Sequence, residues 1–230
     1  MMPRNPIDPM AKDAVVRRIT EVGIVPVLRA SSADEAIAVA DAIAEGGIDI
    51  LEITMTVPGA VQVIAETVRR YGDRMLVGAG TVLDAKAARE CIAAGARFIV
   101  SPIVDDATVA LCAGEGIAVL PGALTPTEVV RAWRAGADLV KVFPCGAAGG
   151  ASYIKSLKAP LPQIPLVPTG GVTVATAGAY FAAGASAIGV GADLCNVTAI
   201  REGSPDRITA AARAYLAAIQ TARAVPCSPR

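Results

Sequence analysis

Lys141 is the only charge in the apolar run Leu139–Pro144, and Glu52 is likewise the lone charge in Ile50–Ile53, in a chain of 230 residues with no histidine. Burying an ammonium disfavours its charged form. A lysine made neutral in that way is a nucleophile able to form a Schiff base with a carbonyl compound. Without imidazole, His-ligated metals and His general bases are excluded, and proton transfer falls to Glu, Asp, Lys, Tyr, Cys or water. Glu52 is then an acid/base placed where a Schiff-base lysine lacks one. Two structural alternatives stand beside this reading. Lys141 could reach solvent along its own aliphatic stem, or the two charges could neutralise each other as a buried ion pair.

A second set of polar and glycine residues recurs at the ends of short apolar runs. Arg29 follows the first run as an anion clamp or a surface arginine, and Thr56 follows the second. Thr81 ends Gly78-Ala79-Gly80-Thr81 and could give its hydroxyl and N–H to a carboxylate, or cap the following helix. Pro102, Phe143, Thr169-Gly170-Gly171 and Gly191-Ala192 close four further runs. Glycines there either let a phosphate approach backbone N–H groups or relieve crowding where strand meets helix.

The elements that must position these residues are written as alternation. Apolar, β-branched runs predict strands over 25–29, 50–55, 76–81, 98–102, 118–122, 139–143, 166–169 and 187–191. Ala-rich stretches of helical periodicity, such as 34–45 and 126–134, lie between them. Strands alternating with such helices imply parallel βαβ units, and eight of them imply a closed (β/α)₈ barrel rather than an open doubly wound sheet. In that fold the carboxyl ends of the strands carry the active site, and the loops after strands 7 and 8 carry phosphate. Several helices run out in a small residue and glycine (Gly46-Gly47, Gly95, Gly116, Gly136, Gly184), and Thr125-Pro126-Thr127-Glu128 reads as a capping box. Ser204-Pro205-Asp206 opens the last helix, a short helix near 13–21 precedes the first strand, and 225–230 reads as a frayed tail. The chain is expected to form a single domain over 1–230, with its core at about 13–220.

Composition narrows the class. Apolar residues are 53% of the chain and aromatics 3%, so the core must be built from Ala, Val, Ile and Leu. Twenty-one basic residues balance twenty-one acidic ones, which gives no electrostatic reason to expect nucleic acid or an anionic membrane as partner. Five scattered cysteines without a C-x-x-C pair argue against disulfides and zinc and fit a cytoplasmic protein. The uncharged stretch 159–192 is broken by Pro160, Pro162, Pro165, Pro168, Gly170 and Gly171 and cannot make a membrane span. The N-terminus has no apolar segment of the signal-peptide kind.

The motifs P-V-L-R-A (26–30), E-G-G-I-D-I-L-E-I-T-M-T-V-P (45–58), V-G-A-G-T-V-L (77–83), F-I-V-S-P (98–102), L-P-G-A-L-T-P-T-E (120–128), L-V-K-V-F-P (139–144), Y-I-K-S-L-K-A-P (153–160), V-P-T-G-G-V (167–172) and A-I-G-V-G-A-D-L (187–194) follow in that order. Together they resemble the bacterial 2-keto-3-deoxy-6-phosphogluconate (KDPG) and 4-hydroxy-2-oxoglutarate aldolase family over about residues 13–220. The resemblance implies a class I pyruvate aldolase with a (β/α)₈ barrel, no metal or other cofactor, and assembly as a homotrimer. It implies Lys141 as the Schiff-base lysine and Glu52 as the general acid/base. Thr81 would hold the pyruvyl carboxylate, and Thr169, Gly170 and Gly171 would border the phosphate or substrate tail. Two positions depart from the family pattern. Some members carry arginine where this chain has Thr56, so Arg29 would take over the anion contact. Many carry serine where this chain has Ala192, which leaves a non-phosphorylated or dicarboxylate substrate open. The expected partner is a small 2-keto acid, with no nucleic acid and no membrane. The alternatives are the galactonate epimer, a non-covalent barrel isomerase or synthase on a phosphorylated substrate, and a non-catalytic assembly protein.

Overall fold

The first strand leads straight out of a helix. α1 (Lys12–Val22) stops at Gly23, and β1 (Ile24–Leu28) follows without a loop. A computed structural model describes residues 11–224. The expectations placed on 1–10 and 225–230, Cys227 included, lie outside the described residues.

Strands and helices then alternate along the chain. β2 (Ile50–Thr54), β3 (Leu76–Gly80), β4 (Phe98–Val100) and β5 (Ala118–Leu120) are separated by α2 (Ala33–Glu45), α3 (Ala60–Tyr71), α4 (Ala85–Ala93) and α5 (Asp106–Glu115). β6 (Gly122–Ala123) precedes α6 (Pro126–Ala135) and β7 (Val140–Val142). After α7 (Ala151–Lys158) come β8 (Leu166–Pro168), α8 (Val174–Ala182) and β9 (Ile188–Val190), then α9 (Val197–Arg201) and α10 (Asp206–Ala224). The local signals act as expected. Thr125 and Glu128 form the capping box of α6, and Gly136 ends that helix in the left-handed conformation at φ 106°.

Every strand pairing is parallel, in a curled sheet made of two ladders ordered β5-β4-β3-β2-β1-β9 and β6-β7-β8. The ladders adjoin at both ends. Thr169, just past β8, bridges Gly189 of β9. At the other end Asp138 N donates to Val119 O at 3.1 Å and Lys141 N to Pro121 O at 3.0 Å. The strand expected over 118–122 is corrected to two short ones, β5 and β6. Pro121 lies between them and has no N–H for a ladder bond.

The strands are buried on both faces, and period-two alternation sorts their side chains into two apolar clusters. Val25, Ile50, Leu76, Phe98, Val100, Leu120, Leu139 and Val167 form the inner cluster, which Val15 and Ile19 of α1 join. Leu28, Leu51, Ile53, Val77, Ile99, Val140, Val142 and Ile188 form the outer one under the helices. Each such Leu or Ile contributes roughly 1.5–3 kcal/mol through burial. No helix among the described residues is long and apolar enough to cross a membrane.

Candidate active site

Glu52 and Lys141 belong to the inward-facing alternation, one step above the inner apolar cluster. Ile50 of β2 and Leu139, just before β7, belong to that cluster and sit two residues before them. The two strands lie in different ladders, yet Lys141 Nζ comes within 3.9 Å of Glu52 Oε1. Glu52 is 2% exposed and Lys141 3%. The separation is an ion-pair contact and too long for a hydrogen bond. Among the described residues, Glu52 Oε1 is the one buried side-chain N or O atom with no hydrogen-bond partner. A buried carboxylate oxygen without a hydrogen bond costs about 1–3 kcal/mol or more, and the nearby Lys141 charge offsets part of that cost.

Burial pushes the Glu52 carboxyl above the usual carboxylate range, and the positive charges of Lys141 and Arg29 pull against that. A carboxyl adjusted upward is suited to exchanging a proton near neutral pH. The snorkelling alternative for Lys141 fails, since its side chain is only 4% exposed. Instead the ammonium lies over the Phe143 ring, 5.2 Å from its centroid.

Backbone geometry makes room for the carboxyl. Gly80 pairs in register with Thr54, and a Cβ at position 80 would overlap the Glu52 carboxyl group. The glycine is therefore needed for close approach rather than for a turn. Thr81 comes next and has φ 58°, the one positive φ outside glycine among the described residues. A β-branched residue in that region is strained by about 1–3 kcal/mol, and such strain gathers at ligand sites. The helix-cap alternative for Thr81 is corrected, because the α4 cap is Asp84, whose side chain accepts from Ala87 N at 2.8 Å.

Two cavities open next to neighbours of the pair, though neither is lined by Glu52 or Lys141. One, of about 240 Å³, is lined by Pro102, Gly122, Leu124 and the Phe143 ring that faces Lys141. The other, of about 230 Å³, is lined by Arg29, Ala192, Cys195 and Asn196. Arg29 is exposed, forms no ion pair among the described residues, and its guanidinium lies 3.8 Å from where a Cβ on Gly191 would be. A free cation beside a glycine and an alanine is what an anion clamp needs. Roomier clefts, one of about 780 Å³ against Asp106, Pro126 and Arg131 between α5 and α6, lie outside the helices and away from the pair.

Gly170 and Gly171 both have positive φ, and Gly170 packs against Phe143. Their segment is tied to the one after β7, with Cys145 N donating to Thr169 O at 2.9 Å and Gly146 N to Gly170 O at 2.8 Å. Thr169 is 6% exposed, and Gly189 is free of a side chain where the Thr169 hydroxyl crosses it. The structure thus gathers Lys141, Glu52 and Phe143 into one contact set. It gathers Pro102 with Phe143, and Arg29 with Gly191 and Ala192. Thr56 sits past the end of β2, bonded to Thr54 at 2.7 Å.

Sequence reasoning places Thr54 and Gly80 at the strand ends without assigning them a role, and gives Cys195 no place in the site. Thr54 is fully buried, and the every-second-residue spacing Glu52, Thr54, Thr56 is the signal that points to it. Cys195 is a buried thiol that burial and the Glu52 charge both push toward the protonated form, so it is a packing group and no nucleophile. No sequence signal brings it beside Glu52.

A family model described as KDPG and KHG aldolase matches residues 15–211. The 2-dehydro-3-deoxy-6-phosphogalactonate aldolase of Escherichia coli (strain K12) is 36% identical over 202 residues, which is 87% of this chain and 98% of the relative. The 2-dehydro-3-deoxy-phosphogluconate aldolase of Treponema pallidum (strain Nichols) is 34% identical over 168 residues, 73% of this chain and 80% of the relative. Among solved structures, KDPG aldolase from Legionella pneumophila, with pyruvate captured at low pH as a covalent carbinolamine intermediate, superposes with a TM-score of 0.80. It is 28% identical and covers 88% of this chain and 96% of its own.

Proposed function

Since the chain belongs to the KDPG and KHG aldolase family and is a carbon–carbon lyase, we propose that it is a class I aldolase acting through Lys141. Its substrate in this reading is a 2-keto-3-deoxy sugar acid, KDPG first. The products are pyruvate and glyceraldehyde 3-phosphate, and 4-hydroxy-2-oxoglutarate is a second substrate that yields glyoxylate. One observation carries the reading: Lys141 and Glu52 are buried together at 3.9 Å with a carboxylate oxygen left unpartnered.

Once it has given up its proton, the Lys141 amine attacks C2 of the keto acid and forms a carbinolamine, as pyruvate does in the Legionella enzyme. Loss of water leaves a protonated Schiff base, an electron sink beside the carboxyl of Glu52. Glu52, through its free Oε1, takes the proton of the C4 hydroxyl. The C3–C4 electrons move to the imine nitrogen, and the aldehyde departs. Protonation at C3 and hydrolysis of the Schiff base then free pyruvate and restore the amine. Arg29 and Thr81 hold the pyruvyl carboxylate so that C2 faces Lys141, an orientation effect that can lower the barrier by several kcal/mol. Thr169, Gly170, Gly171 and Gly191 border the far end of the substrate, where Ala192 offers no hydroxyl. Pro102 and Phe143 wall the apolar side.

The same reading joins the two ladders into one closed (β/α)₈ barrel forming a single domain. The Thr169–Gly189 bridge and the bonds across Pro121 support it. Resemblance to the family supports a cytoplasmic homotrimer that needs no cofactor, and sedimentation at micromolar concentration tests the trimer.

Borohydride reduction in the presence of pyruvate is expected to add a pyruvyl mass to the peptide containing Lys141. An enzyme that releases pyruvate from KDPG while Lys141 stays unlabelled overturns the mechanism, and leaves the non-covalent acid/base reading in its place.

A further inference from the structure

Two of the loops at the carboxyl end of the sheet share a backing in the last helix. Gly170 and Gly171 follow β8, and the buried Val172 comes next. Gly191, Ala192 and Asp193 follow β9. Gly191 O accepts from Leu194 N at 3.0 Å and from Cys195 N at 2.8 Å, so Asp193 lies inside a closed turn. Tyr215 of α10 is fully buried and its hydroxyl reaches both loops. It donates to the Asp193 carboxylate and lies 3.4 Å from Val172 O. α10 also packs against α8, the helix that the glycine loop enters.

A phenol has one proton to give, and neither a carboxylate nor a carbonyl can supply a second. The charge-assisted contact with Asp193 takes that proton, and Val172 O, at the outer limit of hydrogen-bond length, takes a minor share. A buried tyrosine hydroxyl needs a partner. Here the partners come from the loops after β8 and β9, so the bond that satisfies the phenol also ties the β9 turn to the helix behind the glycine loop.

We infer that Tyr215 is a positioning residue that acts through Asp193 to fix the spacing between the glycine loop and the β9 turn. The inference rests on the aldolase reading, in which Gly170, Gly171 and Gly191 border the far end of the substrate. Loops after the last two strands are where a barrel of this kind takes phosphate. Ala192 gives no side-chain donor there, so the holding falls to backbone N–H groups. Backbone donors cannot rotate to follow a ligand. Their spacing has to be set from behind, and Tyr215 is the side chain that reaches both loops.

KM and kcat for KDPG and for the same acid without its phosphate, with pyruvate C3 proton exchange in D₂O, test this. In Tyr215→Phe, which removes only the hydroxyl, KM for KDPG is expected to rise about fivefold or more, the weight of one hydrogen bond. Its kcat, KM for the unphosphorylated acid and pyruvate exchange should stay near the wild-type values. Asp193→Ala should repeat that pattern, and it carries the test if Tyr215→Phe fails to fold. Asp193→Asn keeps an oxygen to accept the phenol proton and should restore KM. Tyr215→Phe with Asp193→Ala should be no worse than either change alone. A lower melting temperature with KM for KDPG unmoved overturns the assignment and leaves Tyr215 a packing residue. Equal losses on both acids overturn it as well. A wild type that neither exchanges the pyruvate protons nor releases pyruvate from KDPG overturns the aldolase reading itself, and this inference with it.

Discussion

The two ends of the sheet interior are built on opposite terms. Toward the amino ends of the strands, α1 sets Val15 and Ile19 against Val25, Ile50, Leu76 and Phe98, all apolar and all close to fully buried. Toward the carboxyl ends, the same inward alternation delivers Glu52, Thr54, Lys141 and Thr169, equally buried but polar. Phe98 fits because Gly78 opposite it has no Cβ to strike the ring, and Glu52 fits because Gly80 has none to strike the carboxyl. One device serves packing below and chemistry above. The difference is that the lower end is wholly apolar, whereas the upper end holds a buried carboxylate oxygen with no hydrogen-bond partner.

Lys158 sharpens the point, since a partly buried lysine need not be reactive. Its Nζ donates to Pro162 O at 2.7 Å and Ile164 O at 2.9 Å and so anchors the loop before β8. Burial lowers its pKa. What separates Lys141 is the partner: an aromatic face and a carboxylate that no other residue satisfies.

The comparison can be broken most directly at its charged end. Replacing Lys141→Met together with Glu52→Gln is expected to lower pyruvate release by about 10⁴-fold or more, as loss of a covalent nucleophile does. The same change should raise the stability to unfolding by about 1–4 kcal/mol, because a desolvated charge pair gives way to neutral groups of similar size. Steady-state assay and urea denaturation read the two sides. A double variant that is both inactive and much less stable would make the pair structural.

Ile19→Ala is the converse change at the apolar end. It should destabilise by about 2–5 kcal/mol through lost burial and the cavity left behind. Below the unfolding transition, kcat and KM should keep their wild-type values. A fall in kcat in the folded protein would show that the plug tunes the charged end, against the division drawn above.

The smallest effect is a pH dependence. Glu52 holds its proton more tightly in the folded chain than in the unfolded one, whose carboxyl titrates near 4.5. Its contribution to stability is therefore full below pH 4.5 and is lost as pH rises through the higher folded value. Relative to Glu52→Gln, the wild type should be most stable near pH 4.5 and lose ground steadily above it, by at most about 1.4 kcal/mol per pH unit. Urea midpoints at a series of pH values measure it. A difference that grows in favour of the wild type with rising pH would contradict a carboxyl shifted upward by burial.

Much of this was legible in the chain. A lysine and a glutamate each alone in apolar runs stand out because burying charge is costly, and the alternation of runs with Ala-rich helices announces parallel strands. The capping box at Thr125 and Glu128 and the glycine stops were legible for the same reason: they act over three or four residues. What stayed hidden acts between distant segments. The break at Pro121 depends on which neighbour needed a donor there, and the strain at Thr81 on the turn imposed by the end of β3. Cys195 beside Glu52 and the Thr54 bond to Leu28 depend on strands that sequence order alone cannot bring together.

By itself the sequence determined the residue types available for chemistry, a nucleophilic lysine and a carboxyl with no imidazole to compete, and the alternating elements that carry them. Only the tertiary structure decided their 3.9 Å separation and the oxygen left without a partner. Desolvation and pairing are properties of the atoms that surround a group. Here those atoms come from β1, β2, β3 and β7, which meet only once the sheet has curled.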